Sequence, residues 1–174
     1  SATISVCTVS GTSVTILAQG TCTINADQVG NSNYAAATQV SQSFTVNKKT
    51  ITVTAADKSA TYTGAAASVS NSYSITSGSL KSGDSISGVT YVYQGISPTS
   101  YASSATAPTE VGSYTITPTA TIASSKGGNY TITSAAGTLT IAKANPVISW
   151  GAPSPIRSTT ALSSTQLNAT ANTA

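Results

Sequence analysis

Four side-chain carboxylates, two cysteines and no histidine set the chemical limits of this 174-residue chain. The carboxylates are Asp27, Asp57, Asp84 and Glu110. A hydrolase working through two carboxylates needs them side by side. Here Asp57 adjoins Lys58 and Asp84 closes a Lys81-Ser-Gly turn, so surface and turn roles are expected. Without histidine a Ser-His-Asp triad cannot form, and there is no Gly-x-Ser-x-Gly elbow or phosphate-cradling glycine loop. Calcium needs several gathered oxygen ligands and zinc needs Cys or His sets. Neither pattern is present, so the reading is a non-enzyme with no cofactor and no metal.

Cys7 and Cys22 are the only thiols, and one disulfide is the first reading in a β-rich, secreted chain. Two buried free thiols are the alternative. If the strands around them formed one flat meander, the cysteines would sit two strands apart, roughly 9–10 Å. A disulfide needs Cα atoms within about 7 Å. A bond therefore requires the first and third strands to face each other across two sheets. The closed loop of about 15 residues would contribute roughly 3 kcal/mol in the chain-entropy model.

Three further sets of residues have some chemical reach. Tyr91, Tyr93 and Tyr101 lie close in VTYVYQGISPTSY. If exposed they could stack on sugar rings, with Tyr91 and Tyr93 on one face. The competing role is covering a core with the hydroxyls at its edge. Asn129-Tyr-Thr131 and Asn168-Ala-Thr170 match the N-glycosylation pattern, and Asn129, in a turn, is the better acceptor. Trp150 is expected to pack between modules. Lys and Arg number seven, and only Lys48 and Lys49 are adjacent. Nucleic-acid binders concentrate cations on one face, so that class is set aside.

The elements that would carry these residues are strands. Charged residues are 6% of the chain, too few for the self-repulsion of a disordered segment, and Val, Ile, Thr and Tyr recur in short runs. Val14 and Ile16, then Cys22, Ile24 and Ala26, then Phe44 and Val46 alternate with polar residues, the signal of half-buried strands. KKTITVTAADK opens a second unit with Ile51, Val53 and Ala55 inward. NSYSIT, GVTYVYQGI, GSYTITPTATIA, GNYTIT and GTLTIAK follow as strands. Pro118 predicts an edge strand or a bulge, since proline cannot donate to a ladder. A third piece starts at Ala144. It holds a short strand VISW, a proline-spaced connector GAPSPIRS and a final strand STQLNATA. No apolar stretch reaches membrane-spanning length. The start lacks Met, a basic region and an apolar run, so a leader is expected to have been removed or the chain to be an excerpt. The terminal ANTA is expected to be held by a partner.

The order of these words carries a resemblance. VCTVSGTSVTILAQGTCTINADQVGNSNYAAATQVSQSFTV resembles the C-terminal half of bacterial immunoglobulin-like repeats. ITVTAADKSATYTG, EVGSYTITPTATI and GNYTITSAAGTLTIAK resemble the MBG/YDG-type module. NPVISWGAPSPIRSTTALSSTQLNATA resembles the N-terminal half of the same immunoglobulin-like repeats. The Tyr-Asp-Gly signature stands here as Tyr62-Thr63-Gly64, so no role of the aspartate carries over.

The resemblance implies an all-β chain of immunoglobulin-like β-sandwich modules in tandem. Residues 1–47 would be the C-terminal half of one sandwich, 48–143 an MBG/YDG-type module, and 144–174 the N-terminal half of a sandwich completed by a neighbour. It implies a structural repeat of a secreted bacterial surface fibre or adhesin stalk, with no catalytic residues. Each outer piece is too short for a lone stable core. Three arrangements satisfy this: a tandem array, a tail donated head-to-tail to the next copy, or a tail folded back on its own head. Partners would be neighbouring copies and surface glycans, with no nucleic acid and no membrane insertion. The alternative function is a carbohydrate-binding, adhesive module using the tyrosines.

Overall fold

The computed structural model describes residues 1–172, so the last two residues of the ANTA tail lie outside the described residues. The fold is all-β. Thirteen strands and one short 3-10 turn, Ser124–Asn129, make up the regular structure among the described residues. The chain divides into two compact units. One holds residues 1–56, 72–91 and 117–136, and the other holds 57–71, 92–116 and 137–174.

In the first unit, β1 (Cys7–Ser10) and β2 (Ser13–Ile16) form one antiparallel hairpin, closed by Gly11 at φ 57. Strands β3 (Gly20–Ala26) and β4 (Val40–Val46) form a second, separate antiparallel pair. The first strand begins later than TISVCTVS suggests, because Val6 and Cys7 N–H both donate to the Thr3 carbonyl and curl the chain into a turn. A three-stranded sheet follows in the order β10-β5-β7, built from β5 (Lys49–Ala55), β7 (Tyr73–Ser77) and β10 (Tyr130–Ala135). Strand β10 runs parallel to β5, pairing Ile132 with Ile51. Ile51, Val53 and Ala55 point inward as the period of two predicts. Ile51 and Val53 join Ile122 and Tyr130 in the core, with Ile75, Leu80 and Ile86 packed against them.

The second unit contains β6 (Lys58–Thr61) and β11 (Gly137–Ala142), which pair in parallel, Ile141 opposite Ala60. Two long strands, β8 (Ile86–Gly95) and β9 (Gly112–Ile122), give residues to both units and complete the sheet order β6-β11-β9-β8. Tyr93, Tyr114, Ile116, Leu139 and Ile141 are among its buried side chains. Strand β9 is interior to its sheet, so of the two expectations for Pro118, an edge strand or a bulge, the edge strand does not hold. Its ladder to β11 stops at Ile116 opposite Gly137, so the proline falls two residues past the last β11 partner. A missing N–H costs no bond on that side.

The end of the chain is sparsely regular. Strands β12 (Ile148–Ser149) and β13 (Thr170–Ala171) pair over two residues each. The expected strand STQLNATA is mostly a turn. Ser163 N–H and Oγ both donate to the Gln166 side-chain oxygen, and Ser163 Oγ accepts the Thr165 N–H. Such local side-chain bonds offer the backbone an alternative to a ladder.

One glycine carries a strong constraint. Gly78, just past β7, has φ +71, and a Cβ there would lie 2.3 Å from the Thr50 carbonyl oxygen. Gly78→Ala is expected to cost more than the roughly 1–2 kcal/mol of a left-handed alanine, since a backbone oxygen inside a sheet cannot retreat. A denaturant midpoint comparison measures it.

Candidate functional site

The molecule carries two sets of exposed apolar side chains, one in each end piece. The disulfide organises the first. Cys7 on β1 bonds Cys22 on β3, Cα atoms 5.7 Å apart, and so joins two different two-stranded sheets. Cross-strand partners place Ile16 opposite Cys7, and Phe44 opposite Cys22. Val9 pairs with Val14, and Ala26 with Val40. The register is therefore the one the alternating pattern asks for, with apolar residues beside the disulfide. Yet only the two cysteines are buried among residues 1–47. Phe44 is 45% exposed and Ile16 40%.

The tail repeats this condition. Trp150 donates its indole N–H to the Gln166 carbonyl at 2.9 Å, which ties the short β12 strand to the turn at 163–166. Trp150, Pro153, Pro155, Ile156, Leu162 and Leu167 line an apolar groove of about 410 Å³. Val147, Ile148, Leu162 and Leu167 are all exposed, as is Trp150 at 57%. Between these pieces, the strands from 49 to 142 bury Ile51, Val53, Ile116 and Leu139 completely.

Tyr93 and Tyr101 make internal contacts. Tyr93 is buried and its hydroxyl oxygen accepts the Asn71 amide N–H at 2.7 Å. Tyr101 packs edge-on against Tyr114, centroids 5.6 Å apart, and donates to the Thr106 carbonyl. Tyr91 and Tyr101 are half-buried, which leaves these two as what a sugar could reach. Asn129 is half-buried and its side-chain oxygen accepts the Gln19 N–H, whereas Asn168 is exposed.

Three of the four carboxylates hold loops together. Asp27 accepts from the Gln39 amide at 2.7 Å, and Asp57 accepts the Thr138 N–H at 2.7 Å. Asp84 accepts the Tyr130 hydroxyl at 2.5 Å, while the Lys81 N–H donates to the same phenol oxygen. Sequence reading placed Asp84 in a turn but missed this link, because a contact across 46 positions leaves no local signal. Burial pushes the Tyr130 phenol above its ordinary value, and the bond to Asp84 adds to this, against the opposing Lys81 N–H. Tyr114 is also pushed up, first by burial, then by the Glu110 and Tyr101 charges. The fold thus favours the neutral phenols. Their contribution is whole below pH 10 and is lost as pH rises through the raised values of the folded state. Chemical denaturation at pH 8 to 11.5 is expected to show flat stability up to about pH 10 and a decline above it, shallower in Tyr130→Phe.

The family profile described as MBG domain (YGX type) matches residues 51–140. No curated protein and no solved structure matches the chain. In the Tyr62-Thr63-Gly64 segment, Gly64 takes φ 77. The glycine is what this backbone requires, whichever residue stands at 63.

Proposed function

The chain belongs to the MBG domain (YGX type) family, and on that premise we propose that it is a structural module of an extracellular bacterial surface fibre or adhesin stalk. Its neighbours are copies of itself, met head-to-tail. The matched residues 51–140 fall inside the 48–143 module, which is the closed part of the chain. Residues 1–47 and 144–174 are halves of an immunoglobulin-like sandwich, each completed by the other half on a neighbouring copy, either in a tandem array or by strand donation. A surface setting agrees with the disulfide, which persists outside reducing compartments. No helix among the described residues is long and apolar enough to cross a membrane.

The observation that carries this reading is the contrast in burial. Apolar residues at correct alternating positions of β1 to β4 remain open, and so do those lining the tail groove. A uniformly designed monomer would close both faces. Open strand edges and apolar faces favour pairing with another chain. A head-to-tail contact that does not close on itself propagates a fibre.

Trp150, the single tryptophan, reports directly on the tail. In a covalent two-copy chain, its averaged emission should shift to the blue relative to one copy, and amides of Val40–Val46 in the second copy should gain protection. Electron microscopy of concentrated protein should show continuous fibres. Discrete particles, with emission and exchange identical in one-copy and two-copy chains at all concentrations, would sink the complementation reading.

A further inference from the structure

Besides its apolar faces, the first unit carries a cleft with a distinct electrostatic character. Two adjoining concavities, of about 150 and about 290 Å³, share Leu17, Lys81, Asp84 and Asn129. Lys49 stands on the first and Lys126 on the second. Three of the chain's seven cations thus border one cleft, although 32 and 45 positions separate them in sequence. All three side chains are exposed. Lys49 Nζ donates to Ser79 Oγ at 3.1 Å, a neutral partner that leaves its charge uncompensated. Lys81 and Lys126 form no ion pair among the described residues.

The one acid in the cleft is Asp84, and the Tyr130 hydroxyl already occupies one of its oxygens. The local balance is three cations against one anion. The other material of the cleft is unlike a bare ionic patch. Ile16 and Leu17, 40% and 42% exposed, supply aliphatic surface. Asn129 adds an amide, held in place by the Gln19 N–H on its oxygen, with its NH₂ left as a donor. The Gly83 turn, at φ +90, has open space around its Cα.

We propose that this cleft binds an acidic saccharide, with Lys49, Lys81 and Lys126 receiving the anionic substituents and Ile16 and Leu17 covering a sugar C–H face. Separated ammonium groups suit charges spaced along a polymer, because a lysine acts as a point charge on a flexible stem. A nucleic acid would call for stacking aromatics beside the cations, and the cleft's one aromatic, Tyr130, is buried. The lysines and Leu17 carry this binding, whereas Ile16, which belongs to the open head face, is shared with any neighbouring copy seated there.

The test is calorimetric titration of the intact chain with a galacturonate hexamer, a neutral galactose hexamer and inorganic phosphate, in 20 and 200 mM salt. Saturable binding of the galacturonate hexamer is expected. It should weaken at least tenfold at the higher salt and at least tenfold in Lys81→Gln/Lys126→Gln. Lys143→Gln/Arg157→Gln removes the same net charge elsewhere and should change the affinity less than twofold. The exposed lysine side chains hold no core contact, and the Lys81 group that touches Tyr130 is the backbone N–H, so melting curves of both variants should match the parent. Absence of galacturonate binding, equal loss in both double variants, or equal binding of the neutral hexamer would overturn the proposal. So would phosphate binding as tightly as the hexamer, which would mark a generic anion site.

Discussion

Reducing the Cys7–Cys22 bond should unfold residues 1–47 while the strands from 49 to 142 stay folded. The bond closes a loop with a sequence separation of 15. In the chain-entropy model such a loop is worth roughly 3 kcal/mol. That figure matters more here than in most domains, because little else holds the segment. The cysteines are its only buried side chains, and its two hairpins are not part of one continuous sheet. An isolated two-stranded hairpin is marginal in water. A few bonds remain, such as Ala2 N–H to the Thr23 carbonyl and Gln19 N–H to Asn129. Each contributes about 0.5–1.5 kcal/mol, so the covalent link outweighs any one of them. Amide exchange read peptide by peptide, with and without reductant, checks this. Loss of protection confined to β1–β4 is the expected pattern. Uniform loss across the chain, or none, would contradict it. Intact mass should rise by about two daltons on reduction, as two thiols form from one disulfide.

Truncation of the central core should have the opposite distribution. Ile51→Ala and Leu139→Ala are each expected to cost about 2–5 kcal/mol. Both side chains are completely buried, each in a paired interior strand. Ile51 sits in the cluster with Val53, Ile122 and Tyr130, and removing it leaves a cavity that neighbouring strands cannot fill. Phe44→Ala, by contrast, removes a larger side chain that is 45% exposed, and should cost under about 1 kcal/mol in an isolated chain. In a two-copy chain the same Phe44→Ala change should become several-fold more costly, if the neighbour's tail covers that ring. Urea denaturation of single and two-copy chains gives all four numbers. A Phe44 effect as large as that of Ile51 in the single chain would mean that the head face is already closed.

Much of this molecule was legible from residue order. Strict alternation in KTITVTA and GTLTIA marks strands buried on one face, and Ile51, Val53, Leu139 and Ile141 are buried accordingly. The cysteine spacing, set against strand separation, required two facing sheets, and the disulfide does join two sheets. The absence of histidine and of paired acids is a property of composition and needs no coordinates to read. Strand boundaries were less legible where Ser and Thr dominate. At the start of STQLNATA the side chains of Ser163 and Gln166 accept backbone N–H groups that propensity alone assigned to a ladder.

Residue order alone thus determined the β character, the inward positions and the poverty of reactive groups, since each follows from local periodicity or residue type, whereas it left the cysteines open between a disulfide and two free thiols. Tertiary structure alone decided which inward positions are covered, that β5 and β6 find parallel partners some 80 residues away, and that Lys49, Lys81 and Lys126 border one cleft. Coverage and convergence are properties of strands brought together across long stretches of chain, and such pairings are set by the global packing of sheets, which no local pattern encodes.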